Sequence, residues 1–112
     1  ENGYKRGEAG SGIRTHGPYF VQNYPNIAFS LHLYADWIYG RQRLADYIDA
    51  VRAKGLSLHI GEYGSGVDYS AQVAADVIRV CNEKSLGRMV WQWTGVDIHR
   101  LTNGSGGFAV DR

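Results

Sequence analysis

The chain has 112 residues, 44% of them hydrophobic and 21% charged, with a formal net charge of +1 at pH 7. These values predict one small globular domain and argue against a disordered chain or a membrane protein. The balanced charge, without a basic stripe, gives no electrostatic support for nucleic-acid binding and favours a neutral partner. The single cysteine, Cys81, excludes an internal disulfide and is expected to be buried in a helix.

Residues 1–25 are rich in Gly, Tyr and Arg and have no sustained hydrophobic period, so they are predicted to be irregular loop, or else what is left of an element whose partners are absent. The opening segment ENGYKRGEAGSG lacks the charged start, apolar core and small-residue cleavage site of a signal peptide. We therefore expect residues 1–25 to be a remnant of preceding loops, left by processing or truncation of a larger unit.

Regular organisation is predicted from residue 26 onward. The segment IAFSLHLY, residues 27–34, alternates apolar residues with small or polar ones, which predicts a strand. Its apolar face carries Phe29, Leu31 and Leu33 and is suited to packing beneath helices. The segment RQRLADYIDAVRAK, residues 41–54, has apolar residues three and four apart, which predicts an amphipathic helix.

The same pattern then repeats. LSLHIGE, residues 56–62, predicts a second strand; AQVAADVIRVCNEKS, residues 71–85, a second helix; and RMVWQW, residues 88–93, a third strand. A glycine follows each helix, Gly55 and Gly87, where helices favour a left-handed residue. The connections are long enough for right-handed parallel crossovers. Because three strands and two helices cannot cover both faces of a parallel sheet, the chain is either a small open α/β unit or part of something larger.

Strict alternation assigns the residues of the second strand to two faces. Leu58, Ile60 and Glu62 share one face, and His59 is expected on the opposite face, beneath the helices. In the third strand, Trp91 and Trp93 share a face by the same rule.

Polar or aromatic side chains close each predicted strand: His32 and Tyr34 in the first, Glu62 in the second and Trp93 in the third. Parallel α/β proteins build their ligand sites from these carboxyl ends and the loops that follow. If the strands are neighbours, the four side chains converge.

Three segments in this order and spacing, FSLHLYADW, GLSLHIGEYGS and GRMVWQWTG, resemble the last three strands of glycoside hydrolases of family five, which includes many cellulases and endo-β-mannanases. The likeness runs from about Asn26 to Gly95 and is strongest to the bacterial endo-β-1,4-mannanase-like group. It implies an α/β fold. The chain would be the C-terminal part of a (β/α)8 TIM barrel, with about three strands and two helices. Residues 1–112 would then be a partial catalytic domain.

The resemblance also implies roles for particular residues. Glu62 corresponds to the nucleophile, which forms a covalent glycosyl-enzyme intermediate, and His32 and Tyr34 would hold it by hydrogen bonds. A donor such as the Tyr34 hydroxyl favours an ionised carboxylate.

Three tryptophans are candidates for substrate binding. The resemblance implies that Trp93 is the platform beneath the sugar, with Trp91 one layer deeper; core packing is the alternative for both, and the favoured one for Trp91. Trp37, in the loop after the first strand, is expected either to extend the cleft or to pack within the loop.

A retaining glycosidase also needs a general acid roughly 5 Å from the nucleophile. In the family this is a Glu after an Asn at the end of the fourth strand, and the only Asn-Glu pair here, Asn82-Glu83, lies near the end of the second predicted helix. The expected function is therefore that of a fragment of a retaining hydrolase of β-1,4-linked polysaccharide, of mannan or cellulose type, that is inactive in isolation. The expected location is secreted or periplasmic.

The sequence also bears on other functions. A non-catalytic half-barrel that self-associates or binds carbohydrate weakly stays open as an alternative. A phosphate-cradling turn at GEYGSG is disfavoured because Glu62 would lie beside the phosphates and no Lys or Arg occurs from 61 to 78. The spacing of the histidines predicts no metal site, no cofactor is expected, and the partner is a polysaccharide or oligosaccharide rather than nucleic acid or membrane.

Overall fold

A computed structural model describes residues 11–34, 37, 39–64 and 70–91. The elements in chain order are α1 (Gly12–Asn23), β1 (Phe29–Leu33), α2 (Arg41–Arg52), β2 (Leu58–Tyr63), α3 (Ser70–Glu83) and β3 (Arg88–Val90). The predicted alternation of three strands with two helices is confirmed. The end of the predicted third strand, residues 92–93, lies outside the described residues.

The three strands form one parallel sheet in the order β1-β2-β3. Each pair of neighbouring strands is joined by one crossover helix, α2 and then α3, as parallel pairing requires. The carboxyl ends of all three strands therefore lie at the same edge of the sheet, where the polar strand ends were expected to meet.

The core lies between one face of this sheet and the two crossover helices. The strands contribute Leu31, Leu33 and Ile60, which are fully buried. The apolar stripes predicted for the helices are buried against them: Leu44, Tyr47, Ile48 and Val51 of α2, and Val73, Val77, Val80 and Cys81 of α3. Burial raises the pKa of the Cys81 thiol, against the opposing influence of nearby Arg88 and Arg52, as expected for a small apolar core residue.

The prediction that residues 1–25 are irregular is wrong for residues 12–23, which form α1. Sequence patterns did not reveal this helix because it contains Gly17 and Pro18, residues with low helix propensity. Ser11 is the N-cap of the helix, and its side chain accepts a hydrogen bond from the Arg14 amide at 3.1 Å.

Tertiary contacts hold α1 in place. The buried Ser11 hydroxyl is hydrogen-bonded to the Tyr47 hydroxyl of α2 at 2.7 Å. Gly17 lies so close to Leu56 that a Cβ atom at this position would approach the Leu56 Cδ1 atom to 2.7 Å. The glycine that weakens the helical pattern is thus what allows the helix to pack closely, and packing overrides propensity here.

The end of α3 differs from the prediction. Gly55, after α2, is left-handed as expected, but after α3 the left-handed residue is Ser85, with φ of +49°, and not Gly87. The Leu86 amide, next in the chain, donates to the Cys81 carbonyl at 2.9 Å, which is the hydrogen bond of a Schellman ending. Ser85 therefore has a left-handed backbone conformation, which is unfavourable for residues with a Cβ atom.

Replacing Ser85 with Gly is expected to raise the free energy of unfolding by roughly 0.5–1 kcal/mol, because relief of the left-handed strain outweighs the added entropy of the unfolded chain. Urea denaturation would measure the change. Ser57→Gly is the matched control, since Ser57 is exposed and is not left-handed. An equal gain in both variants would mean that strain at Ser85 is not the cause.

Candidate active site

The site lies on the sheet face opposite the helices, and a register shift creates it. Leu31 of β1 is opposite Ile60 of β2, but the next residue, His32, is opposite Glu62, so Gly61 forms a bulge. The prediction that Glu62 shares a face with Leu58 and Ile60 is wrong, because a bulge adds one residue and reverses the alternation after it.

His59 also lies on the face opposite to the one predicted. Its partner in β1 is Ser30, and both are partly exposed, while Leu58 and Ile60 are buried beneath the helices. His59 therefore lies on the same face as Glu62, not on the helix side.

Two side chains contact the same oxygen of the Glu62 carboxylate, one from within β1 and one from the residue that follows β1. The Tyr34 hydroxyl donates a hydrogen bond to Oε2 at 3.0 Å. His32 Nδ1 lies 3.4 Å from the same oxygen. The Glu62 side chain is 30% exposed, so the carboxylate is fixed in direction yet open to a ligand.

The tryptophans are arranged differently from one another. Trp91 directly follows β3, and its amide donates to the Tyr63 carbonyl at 2.7 Å. Because Val90 is opposite Tyr63, alternation gives Trp91 the face of Glu62, and its side chain is 41% exposed. This exposure differs from the core packing favoured for Trp91. Trp93 lies outside the described residues.

Trp37 is a core residue. It is only 3% exposed, and its ring packs edge-on against Tyr39 and Tyr47 at centroid distances of 5.4 and 5.7 Å. This agrees with loop packing, the second of its two expected roles. Tyr39, which is exposed and has the Arg43 guanidinium 4.7 Å from its ring centroid, is the accessible aromatic residue of this loop.

Two negative findings hold for the described part of the chain. Among residues 11–34, 37, 39–64 and 70–91, no group of three or more His, Cys, Asp or Glu side chains is arranged to hold a metal ion. None of the described helices combines the length and apolar character needed to cross a bilayer.

A family model and several solved structures match this chain. The sequence model of the family described as Cellulase (glycosyl hydrolase family 5) matches residues 7–97. A solved β-mannanase from Streptomyces thermolilacinus superimposes with a TM-score of 0.70 and 27% identity, covering 82% of this chain and 32% of its own. The solved structure of β-mannanase from the same organism with mannohexaose gives a TM-score of 0.69 and 23% identity, with the same coverage.

The catalytic domain of a mannanase from Streptomyces sp. SirexAA-E superimposes with a TM-score of 0.71 and 24% identity, over 88% of this chain and 34% of its own. A comparison with curated proteins found no significant match. The chain thus spans about a third of the length of the solved structures it matches. Its three parallel strands and their helices form part of a (β/α)8 barrel. Since the family model covers most of its residues, the chain belongs to glycosyl hydrolase family 5.

Proposed function

We propose that the protein containing this chain is a retaining glycoside hydrolase that cleaves β-1,4-linked polysaccharide, with Glu62 as its nucleophile. The observation that carries the proposal is the Glu62 carboxylate at the carboxyl end of β2, oriented by Tyr34 and His32 at a single oxygen. Family membership supports a glycosidase. The site residues add a reason why this carboxylate, and not another, is the reacting group.

In this mechanism, an oxygen of Glu62 attacks the anomeric carbon while the bond to the leaving sugar breaks, which forms a glycosyl ester. Water then releases the sugar with overall retention. Among the described residues, the contacts to Glu62 engage Oε2, so Oε1 is the candidate attacking atom. The leaving oxygen needs a proton from a second carboxylate. We assign that general acid to the part of the barrel outside this chain, which makes the isolated chain inactive.

Mannan is the favoured substrate over cellulose. The β-mannanase from Streptomyces thermolilacinus, which is 27% identical to this chain, supports this choice. The exposed Trp91, and Trp93 from the sequence resemblance, are the candidate platforms, since an indole stacks on the apolar C–H face of a pyranose. A polysaccharide substrate also implies a secreted or periplasmic enzyme.

The direct test is covalent trapping at Glu62. The protein, expressed at its full natural length, would be incubated with a 2-deoxy-2-fluoro glycosyl fluoride of the mannose or glucose series. The fluorine at C2 slows both formation and hydrolysis of the ester, whereas the fluoride leaving group at C1 speeds formation alone, so the ester accumulates. Peptide mapping is expected to find one sugar on the peptide that contains Glu62 and none in a Glu62→Gln variant. Labelling of a different carboxylate, or none, contradicts the assignment.

Tyr34→Phe is expected to lower kcat by roughly 10–100-fold, because a hydrogen bond to a charged group contributes about 1.5–3 kcal/mol. The 3.0 Å bond to Glu62 is lost while the ring stays. Steady-state kinetics on mannan oligosaccharides would measure it. Tyr39→Phe is the matched control, since Tyr39 is exposed in the same loop region, and it is expected to stay within about twofold of wild type. Equal losses in the two variants would remove the positioning role of Tyr34.

A second candidate is a half-barrel that self-associates or binds sugars weakly without cleaving them. The observation that favours it is the exposure of Met89, Val90 and Trp91 at β3, an edge strand of the described sheet, because exposed apolar edges pair readily with other chains. Sedimentation velocity and saccharide titration of tryptophan fluorescence distinguish the two. A defined oligomer with sugar binding and no trapped intermediate supports this candidate, and a monomer labelled at Glu62 rejects it.

A further inference from the structure

The direction of Glu62 depends on one inserted residue. Without the bulge at Gly61, strict alternation would turn Glu62 to the face of Ile60. That face is the core, where Leu31, Leu33 and Ile60 are fully buried. A carboxylate there would be costly and would lie on the wrong side of the sheet for a ligand. The bulge is therefore a condition for the site to exist.

The bulge requires a glycine at position 61 because Ser30 and His32 of β1 fill the space beside it. A Cβ atom built on Gly61 would overlap the Ser30 hydroxyl and would approach His32 Nε2 to 3.3 Å. Ser30 and His32 are successive residues on one face of β1. The Gly61 backbone thus lies directly against both of them, and the imidazole of His32 has its Nε2 side toward Gly61 and its Nδ1 side, at 3.4 Å, toward Glu62.

We propose that Ser30 and Gly61 are a sterically matched positioning pair: the missing side chain at position 61 leaves room for the Ser30 hydroxyl, and this lets the bulge of β2 lie against β1 with Glu62 turned toward Tyr34 and His32. The inference rests on the proposed function, in which Glu62 is the nucleophile. Neither residue touches the reacting atoms. Both act through Glu62, since any side chain at position 61 must displace Ser30 or move the backbone that carries the carboxylate.

The test uses Gly61→Ala, Ser30→Ala and the double variant in the protein at its full natural length. Gly61→Ala is expected to lower kcat about 100-fold with KM nearly unchanged, because a shift of about 1 Å at a reacting group costs this much. In its crystal structure the 3.0 Å bond from Tyr34 to Glu62 is expected to be broken. Removing the Ser30 hydroxyl in the double variant is expected to restore that bond and to raise kcat at least about tenfold above that of Gly61→Ala.

Gly87→Ala is the matched control. A Cβ atom at Gly87 would lie 3.8 Å from the His59 Cβ atom, an ordinary contact, so both readouts are expected to match wild type. If Gly61→Ala does not fold, Ser30→Thr crowds the bulge from the other strand with an added methyl group. It is expected to lower kcat by about tenfold and to displace the carboxylate.

The inference is overturned if Gly61→Ala keeps the bond to Tyr34, or if the double variant recovers neither the bond nor the rate. Failure of the proposed function has a separate sign, the absence of trapped sugar on wild-type Glu62. In that case the crystal structures alone decide the positioning pair, because the distance between Tyr34 and Glu62 does not depend on turnover.

Discussion

Replacing Glu62 with Gln is expected to lower kcat by on the order of 10⁴-fold or more, as removal of a covalent nucleophile does in other hydrolases. The amide has nearly the shape of the carboxylate and can still accept the hydrogen bond from Tyr34, but it cannot form the glycosyl ester. Substrate affinity is therefore expected to survive. Steady-state kinetics would give kcat, and calorimetric titration with mannan oligosaccharides would give the dissociation constant.

Glu83→Gln is the matched control for this substitution. Glu83 is the last residue of α3, where it lies 3.9 Å from Arg41, an exposed pair of little energetic weight. Its removal is expected to leave kcat within about twofold of wild type. A Glu62→Gln variant that retained a near-normal rate would refute the assignment of the nucleophile, and with it the proposed reaction.

The largest stability effect is expected for Ile48→Ala. Ile48 lies in α2 and is fully buried between that helix and the sheet. Truncation of a buried isoleucine to alanine costs about 2–5 kcal/mol, from lost burial and from the cavity left behind. Urea denaturation would measure the loss.

Ile78→Ala is the control for the core substitution. It makes the same chemical change on a helix, α3, but at a side chain that is 41% exposed. Its effect is expected to stay within about 0.5 kcal/mol, helped by the higher helix propensity of alanine. Similar losses for the two variants would mean that the described packing between α2 and the sheet is not what stabilises the domain.

The two crossover helices and the three strands were predictable because their signals are local. The alternation of Leu31 and Leu33 in β1 and the three-and-four spacing of Leu44, Ile48 and Val51 in α2 reflect the geometry of each element. The parallel order followed from the lengths of the connections. The residues at the strand ends could also be named, since every carboxyl end of a parallel sheet lies at one edge.

Helix α1 was not predictable in this way. Its pattern is broken by Gly17 and Pro18, and the contacts that favour it come from residues distant in sequence, Leu56 and Tyr47. The role of Trp37 was open for the same reason: only its contacts with Tyr39 and Tyr47 distinguish a buried loop anchor from a cleft residue.

Short segments of the sequence are enough to specify the five elements from β1 to β3 and their parallel topology, because periodicity is a local property. Strand-end position likewise makes Glu62, Tyr34 and His32 candidates. The face of the sheet that carries the Glu62 carboxylate is set instead by contacts between strands. That face depends on the bulge at Gly61, and the bulge depends on how Gly61 fits against Ser30 of the neighbouring strand. A register between two strands is a property of the pair, and neither strand encodes it alone.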